Sequence, residues 1–302
     1  MTGSSRQTGE FVVDAIGAYD FAASVKFWEG FTPAAYDSSD KLELRLAFAS
    51  EEDFSTGAAY VTSNNAEGTS VRIETYGDSG PETVRDQTVR VLSLDFDGDQ
   101  FKQIVIGDPV LHELWNRYEG LRPVLFYSPY EAASWAVIAN RIRIAQAAAI
   151  KKRMADELGA TIEIRGQTVH AFPSPMQVLG MTSFQGISER KVEYLHAVAS
   201  AALDGRLDSS ALRAMSPDDA LEQLQSIKGI GPFGAELTLI RGVGLPDRMA
   251  MVESRLAPAI ALAYDLDHEP DAESIFAMAE AWRPFRSWVT LLLRRSFEDE
   301  MH

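Results

Sequence analysis

The alternation of apolar and polar side chains changes its period once along the chain. In KLELRLAFAS, Leu42, Leu44, Leu46 and Phe48 alternate with Glu43, Arg45 and Ala47, the two-residue period of a strand with one face on a core. TSVRIETY repeats it with Val71, Ile73 and Thr75, and TVRVLSLDFDGD reads as a further strand closed by a turn at Asp97-Gly98-Asp99. Loops are predicted at Asn64-Asn65 and between Gly77 and Pro81. From Ser128 onward the period is helical. SPYEAASWAVIANRIRIAQAAAIKKRMADEL opens with Ser128 as N-cap, Pro129 at the first helical position and Glu131 at the third, a capping-box arrangement. It continues as a long alanine-rich helix with a break near Asn140. ISERKVEYLHAVASAAL is a second helix, capped by Ser188. SPDDALEQLQS is a third, started by Ser216, Pro217 and Asp219 and carrying Leu221, Leu224 and Ile227 as its apolar stripe. GAELTLIRGV, VESRLAPAIALAY, AESIFAMAEAW and PFRSWVTLLLRRSF complete the series. The expected class is α+β: an N-terminal antiparallel sheet domain with some helix over residues 1–122, then an all-α region over residues 123–302.

Composition narrows what such a chain does. At 302 residues a single core stops growing efficiently, so two or three subdomains are expected. There is no cysteine, which excludes disulfides, thiolate metal sites and a cysteine nucleophile and suits a reducing cytoplasm. None of the five histidines has ligand spacing, so neither a metal nor a cofactor is expected. The N-terminus lacks a signal pattern and no window approaches about 20 apolar residues; a cytoplasmic protein with no membrane partner, and a monomer, is the reading. The net charge of −16 argues against indiscriminate polyanion binding. The acidity is uneven, however: residues 1–125 hold 10 Lys and Arg against 21 Asp and Glu, residues 126–302 hold 18 against 23. RIRIAQAAAIKKR carries five basic residues and no acid, and nucleic acid, if bound, is expected there and nearby.

SIKGIGPFGAELTLIRGVGLPDRMAMVESRL contains G-x-G-x-x-G at Gly229, Gly231 and Gly234. A dinucleotide site needs a buried strand before these glycines, a helix after them and an acid about 20 residues on. A helix does follow, and Glu253 stands 19 residues beyond Gly234, but DDALEQLQSIK before the glycines has helical spacing. Two helices joined by a tight glycine turn form a different device. Gly229 and Gly231 permit turn conformations and close approach, while free N–H groups and the second helix's N-terminus face an anion. Such a loop grips a nucleic-acid backbone without reading bases. The spacing alone leaves a plain αα-hairpin equally open.

LQSIKGIGPFGAELTLIRGVGLPD resembles the helix-hairpin-helix, here about residues 217–243, of the DNA glycosylase superfamily, and the match extends beyond it. GLRPVLFYSPYEAASWAVIANRI, AFPSPMQVLGM, GISERKVEYLHAVASAALDG and AEAWRPFRSWVTLLL are similar, in order and spacing, to successive segments of the bacterial 3-methyladenine DNA glycosylase II family. The N-terminal sheet would correspond to that family's TATA-binding-protein-like domain. The resemblance implies hydrolysis of the N-glycosidic bond of an alkylated or otherwise damaged base in duplex DNA, with the target nucleotide flipped into a pocket. Extrusion costs a few kcal/mol, so a wedge residue and a firm backbone grip are needed. An alkylated purine leaves readily, so a carboxylate that stabilises an oxocarbenium-like sugar and positions water carries most of the chemistry.

Residue by residue, the resemblance assigns backbone contacts to Gly229, Ile230, Gly231, Phe233 and Gly234, and a base pocket to Phe233, Leu237 and Arg294. Phe233 occupies both the place of the family's pocket tryptophan and that of the lysine used by its lyase branch, which implies a monofunctional enzyme. The family's catalytic aspartate aligns with Glu253, whose carboxylate reaches roughly 1.5 Å further, a displacement large beside the tolerance of such chemistry; a plain first-turn carboxylate favoured by a helix dipole is the other reading. Asp247 falls at a position the family does not use. Arg141 aligns near the intercalating leucine, as wedge or as solvated surface charge. Arg190 and Lys191 follow Ser188 as possible phosphate contacts or ordinary surface cations, Trp282 and Trp288 read as core, and the carbonyls of Ile227 and Ile230 match those that hold a monovalent cation in family hairpins. A non-catalytic DNA-binding or lesion-sensing relative that lost the aspartate is the alternative function.

Overall fold

The computed structural model describes residues 6–30, 42–249 and 255–301. Its N-terminal part is a four-stranded antiparallel sheet in the order β1-β4-β3-β2, built from β1 (Gln7–Asp14), β2 (Glu43–Ala49), β3 (Thr56–Ser63) and β4 (Ser70–Gly77). One face packs Leu44, Leu46, Phe48, Val61 and Ile73 against α1 (Phe21–Gly30) and α2 (Pro81–Val91). β2 is buried on its other face as well, so Glu43 and Arg45 pair with each other at 2.7 Å rather than meeting solvent.

The expected strand in TVRVLSLDFDGD does not form. Thr88–Val91 is the last turn of α2, because Pro81 starts a helix whose Val84, Thr88 and Val91 recur on one face and are buried. Asp97, read as part of a turn, caps α3 (Gly98–Val105) by accepting from the Asp99 N–H at 2.9 Å. α4 (Pro109–Arg117) follows. Phe101 of α3 and Trp115 of α4 share an aromatic core with Trp282, Phe285 and Trp288, which belong to the closing elements α12 (Leu256–Ala263), α13 (Ala272–Ala279) and α14 (Arg286–Glu300) and the turns between them.

The long helix breaks where expected, into α5 (Pro129–Ala139) and α6 (Ile144–Leu158), with Arg141 at a φ of +58° in the connection. Ser128 accepts from the Glu131 N–H at 3.1 Å, but the capping box is not completed: the Glu131 carboxylate instead meets buried Lys151 at 2.6 Å. The helical region also departs from all-α at one place. β5 (Thr161–Ile164) and β6 (Gln167–His170) form a hairpin turned by Arg165 and Gly166, both at positive φ, and Ile162 and Ile164 cover the back of the sheet beside Ala47, Ala58 and Tyr76. The alternation in TIEIRGQTVH carries this hairpin. Then come α7 (Pro175–Leu179), α8 (Glu189–Leu203), α9 (Ser209–Ala214), α10 (Pro217–Gln225) and α11 (Pro232–Leu237), which continues without interruption as a wider π-helical turn over Thr238–Val243. Among the described residues no helix is long and apolar enough to cross a membrane.

Candidate functional site

The glycine turn lies between α10 and α11, as the spacing predicts, and each glycine has a separate task. Gly229 has a φ of +96°, and a Cβ there would stand 2.4 Å from the Tyr194 ring of α8. Gly231 is the N-cap of α11 and exposed, and a Cβ there would meet nothing within 4 Å. Gly234 is buried, 3.2 Å from the Ala136 methyl group on α5 by the same measure, and so sets the distance between the two helices. Ile230 is buried, and its N–H donates to the Ile227 carbonyl at 3.0 Å, which engages one of the two carbonyls considered for a cation. The N–H groups of Gly231, Phe233 and Gly234 head a helix and have no intrahelical acceptor, while Pro232 has no N–H to leave unsatisfied.

Phe233 and Leu237, one helical turn apart on α11, and Arg294 from the distant α14 line one cavity of about 90 Å³. Phe233 is 49% exposed, so its ring lies half in solvent. The π-helical turn adds Ile240 and Arg241 to the wall, the segment before α5 contributes Pro123 and Leu125, and Trp288 contributes an indole edge. Trp288 therefore serves both the core, as expected, and the cavity, a double role that periodicity does not reveal; Trp282 is core alone. Arg241 and Arg248 are lining residues that sequence reasoning missed. Arg248 is paired with Glu236, and Asp247 is held between Arg283 at 2.9 Å and Arg286 at 2.6 Å, an arrangement that consumes its charge in structure. Glu253 lies outside the described residues. Two positions later, Arg255 contacts Glu298 at 2.9 Å, and the same carboxylate oxygen lies 3.2 Å from Arg294.

A second concavity, of about 400 Å³, is lined by Asn140, Arg141, Ser188, Arg190, Lys191 and Tyr194 among others. Tyr194 packs under Gly229, so this groove is continuous with the glycine turn. Lys191 is half-buried and donates to the Ile138 carbonyl at 2.7 Å, which completes the end of α5, and burial lowers its pKa from the ordinary lysine value. Its ammonium is thus a helix cap. Arg190 lies over the Tyr194 ring and donates to its hydroxyl at 2.6 Å. The basic run that the sequence offers to nucleic acid is dispersed: Lys151 is buried on Glu131, Lys152 pairs with Asp156 at 3.5 Å, and Arg153 donates to Gln185, while Arg141 and Arg143 are exposed beside the break. Among the described residues no group of three or more His, Asp and Glu could hold a metal ion.

An antiparallel sheet followed by helices that present a glycine hairpin beside a partly open cavity is the architecture of helix-hairpin-helix DNA glycosylases. The 3-methyladenine DNA glycosylase from Archaeoglobus fulgidus superposes with a TM-score of 0.77 at 22% identity, over 95% of this chain and 99% of that one. The apo-form 8-oxoguanine glycosylase/lyase of Clostridium acetobutylicum does so with a TM-score of 0.64 at 15% identity, over 98% of each. In sequence, a DNA-3-methyladenine glycosylase of Bacillus subtilis (strain 168) is 27% identical over 206 residues, 67% of this chain and 68% of the relative. No protein-family profile matches the chain. The resemblance to the helix-hairpin-helix DNA glycosylase superfamily, and within it to 3-methyladenine DNA glycosylases, is borne out by these relatives, as is the α+β class.

Proposed function

We propose that the protein is a monofunctional DNA glycosylase that hydrolyses the N-glycosidic bond of an alkylated or otherwise damaged base in duplex DNA. The observation that carries the reading is that Phe233, Leu237 and Arg294 converge on one cavity immediately beyond a glycine turn whose α11 amides are free to hold a phosphate. In this reading the amides of Gly231, Phe233 and Gly234 hold the backbone, Arg141 fills the gap in the duplex, and the everted base stacks on Phe233. The cavity is smaller than the roughly 300 Å³ of a typical ligand cleft, so the exposed Phe233 ring swings as the base enters. As the C1′–N bond breaks, its electron pair leaves with the base. The Glu253 carboxylate stabilises the cationic sugar and orients the water that adds to C1′. With Phe233 at the hairpin position that holds a lysine in lyases, no Schiff base with the sugar forms.

The test is to incubate methylated duplex DNA with wild type, Glu253→Gln and Glu253→Asp, and to count alkali-labile breaks. Wild type is expected to generate abasic sites, the Gln variant to be slower by about 100-fold or more, and the Asp variant to remain active. Full release by Glu253→Gln would remove that carboxylate from the mechanism. DNA binding without base release from any lesion by wild type would leave a lesion-binding relative instead.

A further inference from the structure

The helix that follows the glycine turn ends on three consecutive carbonyls, of Arg241, Gly242 and Val243, that its own backbone cannot satisfy. Each is met from outside. The Phe126 N–H donates to Arg241 at 2.7 Å, the Arg90 guanidinium to Gly242 at 2.5 Å, and Arg213 Nε to Val243 at 2.9 Å. Arg90 belongs to α2, on the N-terminal sheet domain. It is buried, and it also donates to the Tyr127 carbonyl and to the Glu51 carboxylate, which in turn accepts from the Ser209 hydroxyl. Arg213 is held at 2.5 Å by Asp95 and lies over the Phe96 ring, both from the N-terminal half. Directly after these carbonyls Gly244 takes a φ of +81°, and a Cβ there would come within 2.5 Å of Leu125.

We propose that the buried Arg90–Glu51 pair is a positioning device for the base cavity, through which the N-terminal domain fixes the π-helical turn that forms one cavity wall. The proposal rests on the glycosylase reading for its catalytic consequence and gives the acidic N-terminal domain a role in that site. A π-helical turn departs from the regular i→i+4 ladder of an α-helix, and such turns recur at functional sites; here its last carbonyls are held by outside partners. Guanidinium groups at a helix C-terminus complement its dipole, and the planar fork of Arg90 reaches two carbonyls and a carboxylate at once. Ile240, Arg241 and Gly244 line the cavity, so displacement of the Gly242 carbonyl moves that wall directly. The glycine turn lies at the opposite end of the same helix. DNA grip and wall position are therefore separable.

Two variants test this: Arg90→Lys, which retains charge but loses the fork, and Glu51→Gln/Arg90→Met, which removes both charges so that no buried carboxylate is stranded. Amide hydrogen exchange is read at residues 238–245 and, as a fold control, in β3 and β4; kcat and KM are read on methylated duplex DNA. The double variant is expected to exchange about tenfold faster at 238–245 with β3 and β4 unchanged, and to lose about tenfold in kcat with KM within about twofold. Arg90→Lys is expected to fall between it and wild type, and it carries the test alone if the double variant does not fold. Wild-type exchange at 238–245 in a folded variant, or accelerated exchange with unaltered kcat, overturns the proposal. Absence of base release by wild type would instead defeat only the glycosylase reading, since the exchange comparison still decides whether the clamp exists.

Discussion

At the scale of single residues, the three glycines of the turn make opposite demands on substitution. Gly229→Ala places a methyl group against the Tyr194 ring at a φ that L-residues avoid. The backbone strain alone costs about 1–3 kcal/mol, before the ring is displaced. Gly231→Ala meets open space at an ordinary φ. Thermal unfolding and duplex-binding anisotropy on the two variants should therefore show Gly229→Ala less stable and weaker in DNA binding, with Gly231→Ala near wild type in stability; equal effects would mean that the turn is not constrained by Tyr194. Phe233 was recognisable because it stands inside the motif, and its half-exposed ring makes a second prediction. Phe233→Ala should leave the melting temperature within a degree or two while slowing base release by the equivalent of the roughly 1–3 kcal/mol that base stacking contributes. Arg241 follows Phe233 and Leu237 at helical spacing on the same continuous helix and could have been read from that period. Trp288 and Arg248 were not recognisable, because they reach the cavity only through packing against that helix from other segments.

At the scale of elements, capping chemistry was the most legible signal, since Ser128, Ser188 and Ser216 accept from the third helical N–H as their spacing predicts. A side chain with two possible partners was less so. Glu131 has the sequence position of a capping-box residue, yet its carboxylate lies in the α5–α6 interface on Lys151. Because both groups are buried, Lys151→Met should destabilise the fold by about 3–5 kcal/mol in urea unfolding, whereas Glu131→Gln/Lys151→Met should recover most of that loss. Failure of the double variant to recover would show that packing, and not the stranded carboxylate, sets the cost. The segment read as a strand at TVRVLSLDFDGD starts in a helix because Pro81, seven positions before its Thr88, starts α2 and carries the chain through Val91 in helical register. A short apolar run has no period of its own that decides between the two.

At the scale of the whole molecule, the net charge of −16 means that attraction to DNA must be local. Exposed Arg141 lines the groove that joins the glycine turn and exposed Arg143 stands two positions further along the same connection, while the other cations of their run are engaged by Glu131, Asp156 and Gln185. Arg141→Ala and Arg143→Ala should each lower the slope of log affinity against log salt concentration by about one unit, and Lys152→Ala should leave it unchanged. Equal effects at all three positions would indicate diffuse attraction to the helical surface. Buried arginines tie backbone segments together: Arg122 gathers the carbonyls of Ile16, Ala18, Ser93 and Phe96 within the N-terminal domain, and Arg90 reaches across from it to Gly242 of the helical region. Sequence reasoning had no means to pair these, because an arginine's partners here are backbone carbonyls, which every residue offers alike.

Helix starts, the glycine turn between α10 and α11, the break at Asn140 and the α+β order followed from the sequence by itself, because each depends on backbone conformation and on side chains within a few positions of one another. Which face of β2 met solvent, where the β5–β6 hairpin docked, and how Phe233, Leu237, Trp288 and Arg294 came to share a cavity were decided by tertiary structure. Burial and charge pairing act between segments that the chain order keeps far apart, and their partners are selected only when the whole molecule packs.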